Sequence, residues 1–226
     1  MTPPHRWIVI GNPENRRVTG FVQAVRDENA GSVVIVPWLE VARNPRWWTD
    51  HDDAPTWVRI ESAGEDAAVQ RALLRLGGRS GAPDLPFGAF VPPGPLHRGF
   101  LVVLERVAAA LEARPAWTSL TEPAGIRQVF DKAVFHRHCR ALGVAVPDTL
   151  DASDRATLER RMEEAGWSSA FLKIRTGSSA VGVVLFRVRP RASFLTTVLM
   201  TEAGWFISLR LRRYHTQADL DRVIGG

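Results

Sequence analysis

Lysine is nearly absent from this chain. Of its 29 basic residues only two are lysines, Lys132 and Lys173, and the other 27 are arginines. A generic positive charge is therefore written as arginine, and lysine survives where a compact, rotatable ammonium differs from a planar fork, as against a phosphate. Cysteine is scarcer still. Cys139 stands alone, which excludes an internal disulfide and any multi-cysteine zinc site. No run of about 18 apolar residues occurs, so no membrane-spanning helix is expected. The opening Met-Thr-Pro-Pro-His-Arg-Trp lacks a signal-peptide hydrophobic region, and a cytoplasmic protein is the expectation. Internal repeats, low-complexity segments and the G-x-G-x-x-G dinucleotide fingerprint are also missing.

What is present suffices for a substantial core: 226 residues, 45% of them hydrophobic, in one or two domains. The net charge of +5 is compatible with nucleic-acid binding, which would require a contiguous basic and aromatic surface. The arginines are instead scattered and balanced locally, as in Glu159-Arg160-Arg161-Met162-Glu163-Glu164, and read as solvated faces. The eight tryptophans lie mostly in apolar or proline-rich context and read as packing residues.

Residues 7–11 form an apolar strand, and Val18, Phe21, Val22 and Val25 mark one face of a helix over 15–29. Residues 32–37 are a continuous apolar strand of the kind buried in a parallel sheet. The loop Gly11, Asn12, Pro13, Glu14 and Asn15 follows the first strand, where open α/β sheets take ligands, although an ordinary turn and helix start is the favoured reading. Residues 38–56 read as irregular, and Asp50, His51, Asp52 and Asp53 as a solvated loop rather than a metal site. A strand over 56–62 and a helix ending at Leu76 follow, then a Pro/Gly-rich loop over 79–95. The next helix, 96–113, carries Leu101, Leu104, Ala108 and Leu111 along one side. Residues 116–123 read as a linker. The alternation predicts an α/β, Rossmann-like domain over 1–115, in three layers with a mainly parallel sheet.

In the second region, 121–226, a helix over 131–142 carries Val134, Phe135, Cys139 and Leu142 as an expected buried stripe, ended by Gly143. His136, His138 and Cys139 do not share a helix face, which argues against a metal cluster. Residues 153–166 form another amphipathic helix, with Leu158, Met162 and Ala165 inward. Strands at 171–175 and 181–188 then flank Thr176, Gly177, Ser178, Ser179 and Ala180. A further hairpin spans 193–200 and 205–212, and a last helix begins at 216–224. The stretch around residue 177 is either an ordinary glycine-serine turn or a phosphate-binding loop entered from Lys173.

Three segments taken together resemble the front half of an ATP-grasp domain: Phe130-Asp-Lys-Ala-Val-Phe135, Leu142-Gly-Val-Ala-Val-Pro-Asp-Thr149 and Phe171-Leu-Lys-Ile-Arg-Thr-Gly-Ser-Ser-Ala-Val-Gly182. The resemblance covers roughly residues 120–226. It implies a Rossmann-like N-terminal domain followed by an incomplete α+β ATP-grasp domain, lacking the later half that contacts adenine and holds metal. It further implies that Lys132, Lys173, Thr176, Gly177, Ser178, Ser179 and Gly182 bind ATP. The implied activity is ATP-dependent ligation of an unidentified carboxylate to an amine or other nucleophile through an acyl phosphate, with Mg²⁺ as cofactor. The later acidic residues, Glu202, Asp219 and Asp221, do not resemble the family's metal-binding cluster, so Mg²⁺ ligands are expected beyond residue 226. The alternative is a non-catalytic nucleotide- or partner-binding module that keeps only the front half.

Overall fold

The computed structural model describes residues 6–79, 88–91, 93–152, 154–177, 182–188, 193–201, 204–216 and 218–219. It shows a mixed α/β protein with one parallel and one antiparallel sheet. The chain divides into two units, Met1–Asp84 with Pro92–Val129, and Leu85–Val91 with Phe130–Gly226.

The first unit begins β1 (Arg6–Gly11), α1 (Arg16–Asp27), β2 (Ser32–Pro37), α2 (Trp38–Arg43), a 3₁₀ turn (Trp47–Asp50) and β3 (Thr56–Ile60). It continues with α3 (Ala67–Leu76), α4 (Pro93–Ala113), β4 (Trp117–Ser119) and α5 (Pro123–Phe130). Its sheet is wholly parallel, in the order β2-β1-β3-β4. The continuous apolar strand β1 suits that position, because both faces of a central parallel strand are covered. Val9 packs with Val18 and Val22 of α1, and Ile8 and Ile10, which alternate to the other face, are equally dry. Asn15 caps α1 by accepting the Arg17 N–H at 2.9 Å. Asp66 caps α3 through the N–H groups of Ala68 and Val69.

Three expectations for this unit change. Residues 38–56 contain α2 and a 3₁₀ turn, because distant arginines close them. Arg106 of α4 donates to the Val41 and Ala42 carbonyls at 2.9 and 2.6 Å, and Arg114 donates to the His51 carbonyl at 3.0 Å. The buried face of α4 is Phe100, Val103, Leu104, Val107 and Ala110, rather than the line through Leu101, Ala108 and Leu111. That helix is apolar nearly all round, so periodicity does not choose a face. Close approach at Gly99 does: a Cβ there would stand 1.8 Å from the Leu73 carbonyl oxygen of α3. The expected linker over 116–123 holds β4, whose Trp117 is buried and pairs in register with Thr56.

The second unit contains α6 (Lys132–Ala141), α7 (Arg155–Glu164) and four antiparallel strands. These are β5 (Ser169–Leu172), β6 (Val184–Arg187), β7 (Ser193–Thr201) and β8 (Gly204–Tyr214), in that spatial order. Leu158 and Met162 of α7 meet Val184 and Phe186 in a dry core, with Ala170, Leu172 and Met200 packed around it. Gly88 and Phe90 add to the edge of β8: Ile207 N–H donates to Gly88 and Phe90 N–H to the Trp205 carbonyl, both at 2.7 Å.

Here too there are corrections. The expected strand over 171–175 starts at Ser169 and ends at Leu172, so Lys173 lies just beyond it. Ala165 of the α7 region is exposed rather than inward. No α6 side chain is buried. Phe135 and Leu142, expected in a core stripe, are 42% and 67% exposed. The helical period was read correctly, but a period alone does not supply a surface to cover it. Gly143, with φ of +73°, ends the helix as expected. Most of the expected last helix lies outside the described residues, as do Ser178, Ser179, Ala180, Glu202 and Asp221. Among the described residues no helix is long and apolar enough to cross a membrane.

Candidate functional site

The head of α6 and the segment after β5 meet within the second unit. Asp131 is the N-cap of α6, its Oδ1 accepting the Ala133 and Val134 N–H groups at 3.1 Å each. The same carboxylate takes Arg175 side-on: Nε lies 3.0 and 2.9 Å from its two oxygens, and Nη2 lies 2.7 Å from Oδ2. The main chains join as well. Lys132 N–H donates to the Arg175 carbonyl at 3.0 Å, and Asp131 pairs with Thr176 in an isolated antiparallel bridge.

Lys132 then reaches into the glycine segment, its Nζ donating to the Gly177 carbonyl at 2.6 Å. Its ammonium is held below the usual lysine range, first by burial and second by the positive charge of Lys173, with Asp131 pulling the other way. The chain's only two lysines, 41 residues apart in sequence, are thus near enough for the charge of Lys173 to be felt at Lys132. The Arg175 guanidinium bonded to Asp131 is the largest influence holding that carboxyl down at about 2. Arg175 engages the Asp131 carboxylate, whose charge also acts on the Lys132 ammonium. Gly177 and Gly182 have φ of +134° and +66°, which side chains rarely adopt. A Cβ on Gly182 would also come within 3.3 Å of the Phe90 ring, which lies tilted at 54° to that of Trp205.

Of the residues singled out from sequence, Lys132, Lys173, Thr176 and Gly177 gather here; Gly182 lies against Ile174 and Phe90, and Ser178 and Ser179 are outside the described residues. Sequence reasoning passed over Asp131 and Arg175. An Asp immediately before a helix is a capping signal and could have drawn notice to Asp131. Nothing local marks Arg175, because its partner is 44 positions away.

The arrangement suits a polyanion and does not suit a divalent cation. Among the described residues no group of three or more His, Cys, Asp or Glu side chains converges, and the carboxylate beside the lysines is already taken by Arg175 and two N–H groups. His136 is also engaged, its Nε2 donating to the Pro147 carbonyl at 2.7 Å.

A second concave place lies in the first unit, at the carboxyl ends of β1 and β3, where the sheet order diverges to either side of β1. A cavity of about 130 Å³ is lined there by Asn12, Glu14, Asn15, Gly64 and Glu65. Asn12 and Asn15 are nearly buried; their amides donate to the Gly64 carbonyl at 2.8 Å and to Glu65 Oε2 at 3.0 Å. The loop at Asp50 to Asp53 is solvated as expected, its three aspartates being exposed. The His51 ring packs about equally between Trp47 and Trp117, while Asp52 pairs with Arg6 and Asp53 with Arg114.

The class these observations define is a two-unit α/β protein carrying a paired-lysine glycine segment on its antiparallel unit. Compared with models of protein families, with curated proteins and with solved structures, the chain has no significant match.

Proposed function

We propose that the chain binds ATP through its triphosphate, at Lys132, Lys173, Thr176, Gly177 and the glycine-serine segment up to Gly182. The observation that carries this reading is the joining of the α6 head to the segment after β5, which sets Lys132 on the carbonyl of the positive-φ Gly177 and brings it within range of the charge of Lys173, while Arg175 takes Asp131. Two like charges held near each other raise the free energy of the empty site and favour a bound anion that separates and neutralises them. Lys132 would leave the Gly177 carbonyl for a phosphate oxygen, and Lys173 would meet the same phosphate chain.

The further steps rest on the ATP-grasp resemblance: a Rossmann-like first unit, an ATP-grasp front half in the second, and ATP-dependent ligation. In that chemistry a carboxylate receives the γ-phosphoryl group, and an amine or other nucleophile then displaces phosphate from the acyl carbon. The protein's share is positioning and stabilisation of transferring charge. On that resemblance the first unit would help hold the acceptor substrate. The described residues do not supply a Mg²⁺ cage.

The second reading is a binding module without catalysis. Calorimetric titration with ATP and with inorganic tripolyphosphate tests the first part. Lys132→Met and Lys173→Met should each weaken both ligands by roughly 1.5–3 kcal/mol, the worth of a hydrogen bond to a charged group. Unchanged affinity in either variant contradicts the site. ADP release over a panel of carboxylates and amines then separates a ligase from a binding module.

A further inference from the structure

We propose that Asp131 and Arg175 form the positioning clamp of the lysine site, setting where the two ammonium groups meet an anion. The proposal rests on the anion-binding reading above and adds residues that neither the lysines nor the glycine segment imply.

Lys132 follows Asp131 directly in the chain, and Lys173 precedes Arg175 by two residues. Any slip between Asp131 and Arg175 therefore moves one lysine against the other. The clamp resists such a slip at two levels. In the side chains, the guanidinium of Arg175 meets both carboxylate oxygens within 3.0 Å. In the main chain, Lys132 N–H meets the Arg175 carbonyl and Asp131 bridges to Thr176. Asp131 also caps α6, so the helix that carries Lys132 starts at the clamp itself. The oppositely charged pair thus ties the head of α6 to the segment that carries Lys173.

The pair is neutral as a unit, so its effect on an anion is geometric. This gives Asp131 an unusual signature. Removing a negative charge beside a polyanion site should tighten binding on charge grounds alone. Removing a clamp should loosen it. Asp131→Asn separates the two, since Asn remains a good N-cap and should keep the helix start. Arg175→Lys is the complementary variant, because it keeps the charge and loses only the fork.

Tripolyphosphate is titrated calorimetrically into the full chain, into both variants and into Lys132→Met, with thermal unfolding followed in parallel. Asp131→Asn and Arg175→Lys should each weaken binding about three- to tenfold, within what a misplacement of about 1 Å can cause. The double variant should be no weaker than the worse single, as expected for two halves of one device. Tighter or unchanged binding in Asp131→Asn, with Lys132→Met still damaging, overturns the clamp and leaves the anion site standing. If Asp131→Asn fails to fold, Arg175→Lys decides, and unchanged affinity there overturns the clamp. No loss in Lys132→Met overturns the anion site instead.

Discussion

In the first unit, Arg106 closes the last turn of α2 through two backbone carbonyls and Arg114 holds the loop at His51. In the second, Arg175 turns to Asp131 next to a lysine. The same residue type thus completes structure in one unit and arranges charge in the other. The sheets differ in the same direction. β1 is dry on both faces, with Ile8, Val9 and Ile10 fully buried. β5 is covered on one face only: Leu172 joins the α7 core, while Phe171 is 67% exposed. A parallel sheet wrapped by helices leaves loops at its strand ends as the place for ligands. A half-covered antiparallel sheet leaves a helix, α6, and a strand end free to present charged groups.

The sharpest way to stress this comparison is to injure each core. Phe186, fully buried at the centre of the second unit, should cost about 3–5 kcal/mol as Phe186→Ala. Gly99→Ala in the first unit should cost about 1–3 kcal/mol, because α3 and α4 must separate to admit the methyl group. Urea denaturation measures both. A neutral Gly99→Ala would mean that close helix approach is not what sets the rotation of α4.

Acid should expose a smaller difference. Asp131 has its carboxyl held at about 2 against an unfolded value of 3.8, so its contribution is fully present above pH 3.8 and is lost as the pH falls through about 2. Since Arg175 is largely exposed, screening reduces this to about 1 kcal/mol. His51 is held below 6.5 by burial first and by Arg6 second. Its neutral form is the one the fold favours, so its contribution is present above pH 6.5 and is lost as the pH falls through the lowered folded value. The effect should be smaller than that of Asp131 but begin at higher pH. Hydrogen exchange at amides near Trp47 and Trp117 should therefore quicken before exchange at the α6 start does. The reverse order would contradict the burial of His51.

How much of this was legible beforehand follows the same division. β1, α1 and β2 were readable because continuous apolar runs and the spacing of Val18, Val22 and Val25 act over a few residues. The hairpin of β7 and β8 and the inward pair Leu158 and Met162 were readable for the same reason. Long-range partners were not. α2 and its 3₁₀ neighbour depend on arginines more than 60 positions away, and β4 depends on a parallel partner at Thr56. At the candidate site, the lysines stood out through their rarity and the glycines through turn chemistry. Asp131 with Arg175 required the fold, because a 44-residue separation leaves no local trace.

Because the chain has only two lysines, labelling lysine with ¹³C and ¹⁵N yields two side-chain signals that can be followed without assignment ambiguity once one lysine is mutated. The decisive measurement is a titration of those signals with tripolyphosphate at constant pH, repeated as a pH titration with and without the ligand. Both signals should move along one binding curve. Lys132 should titrate below the ordinary lysine value in the free protein and rise on binding, since an anion favours its charged form. Movement of only one signal, or of neither, would contradict the claim that Lys132 and Lys173 together form a single anion site.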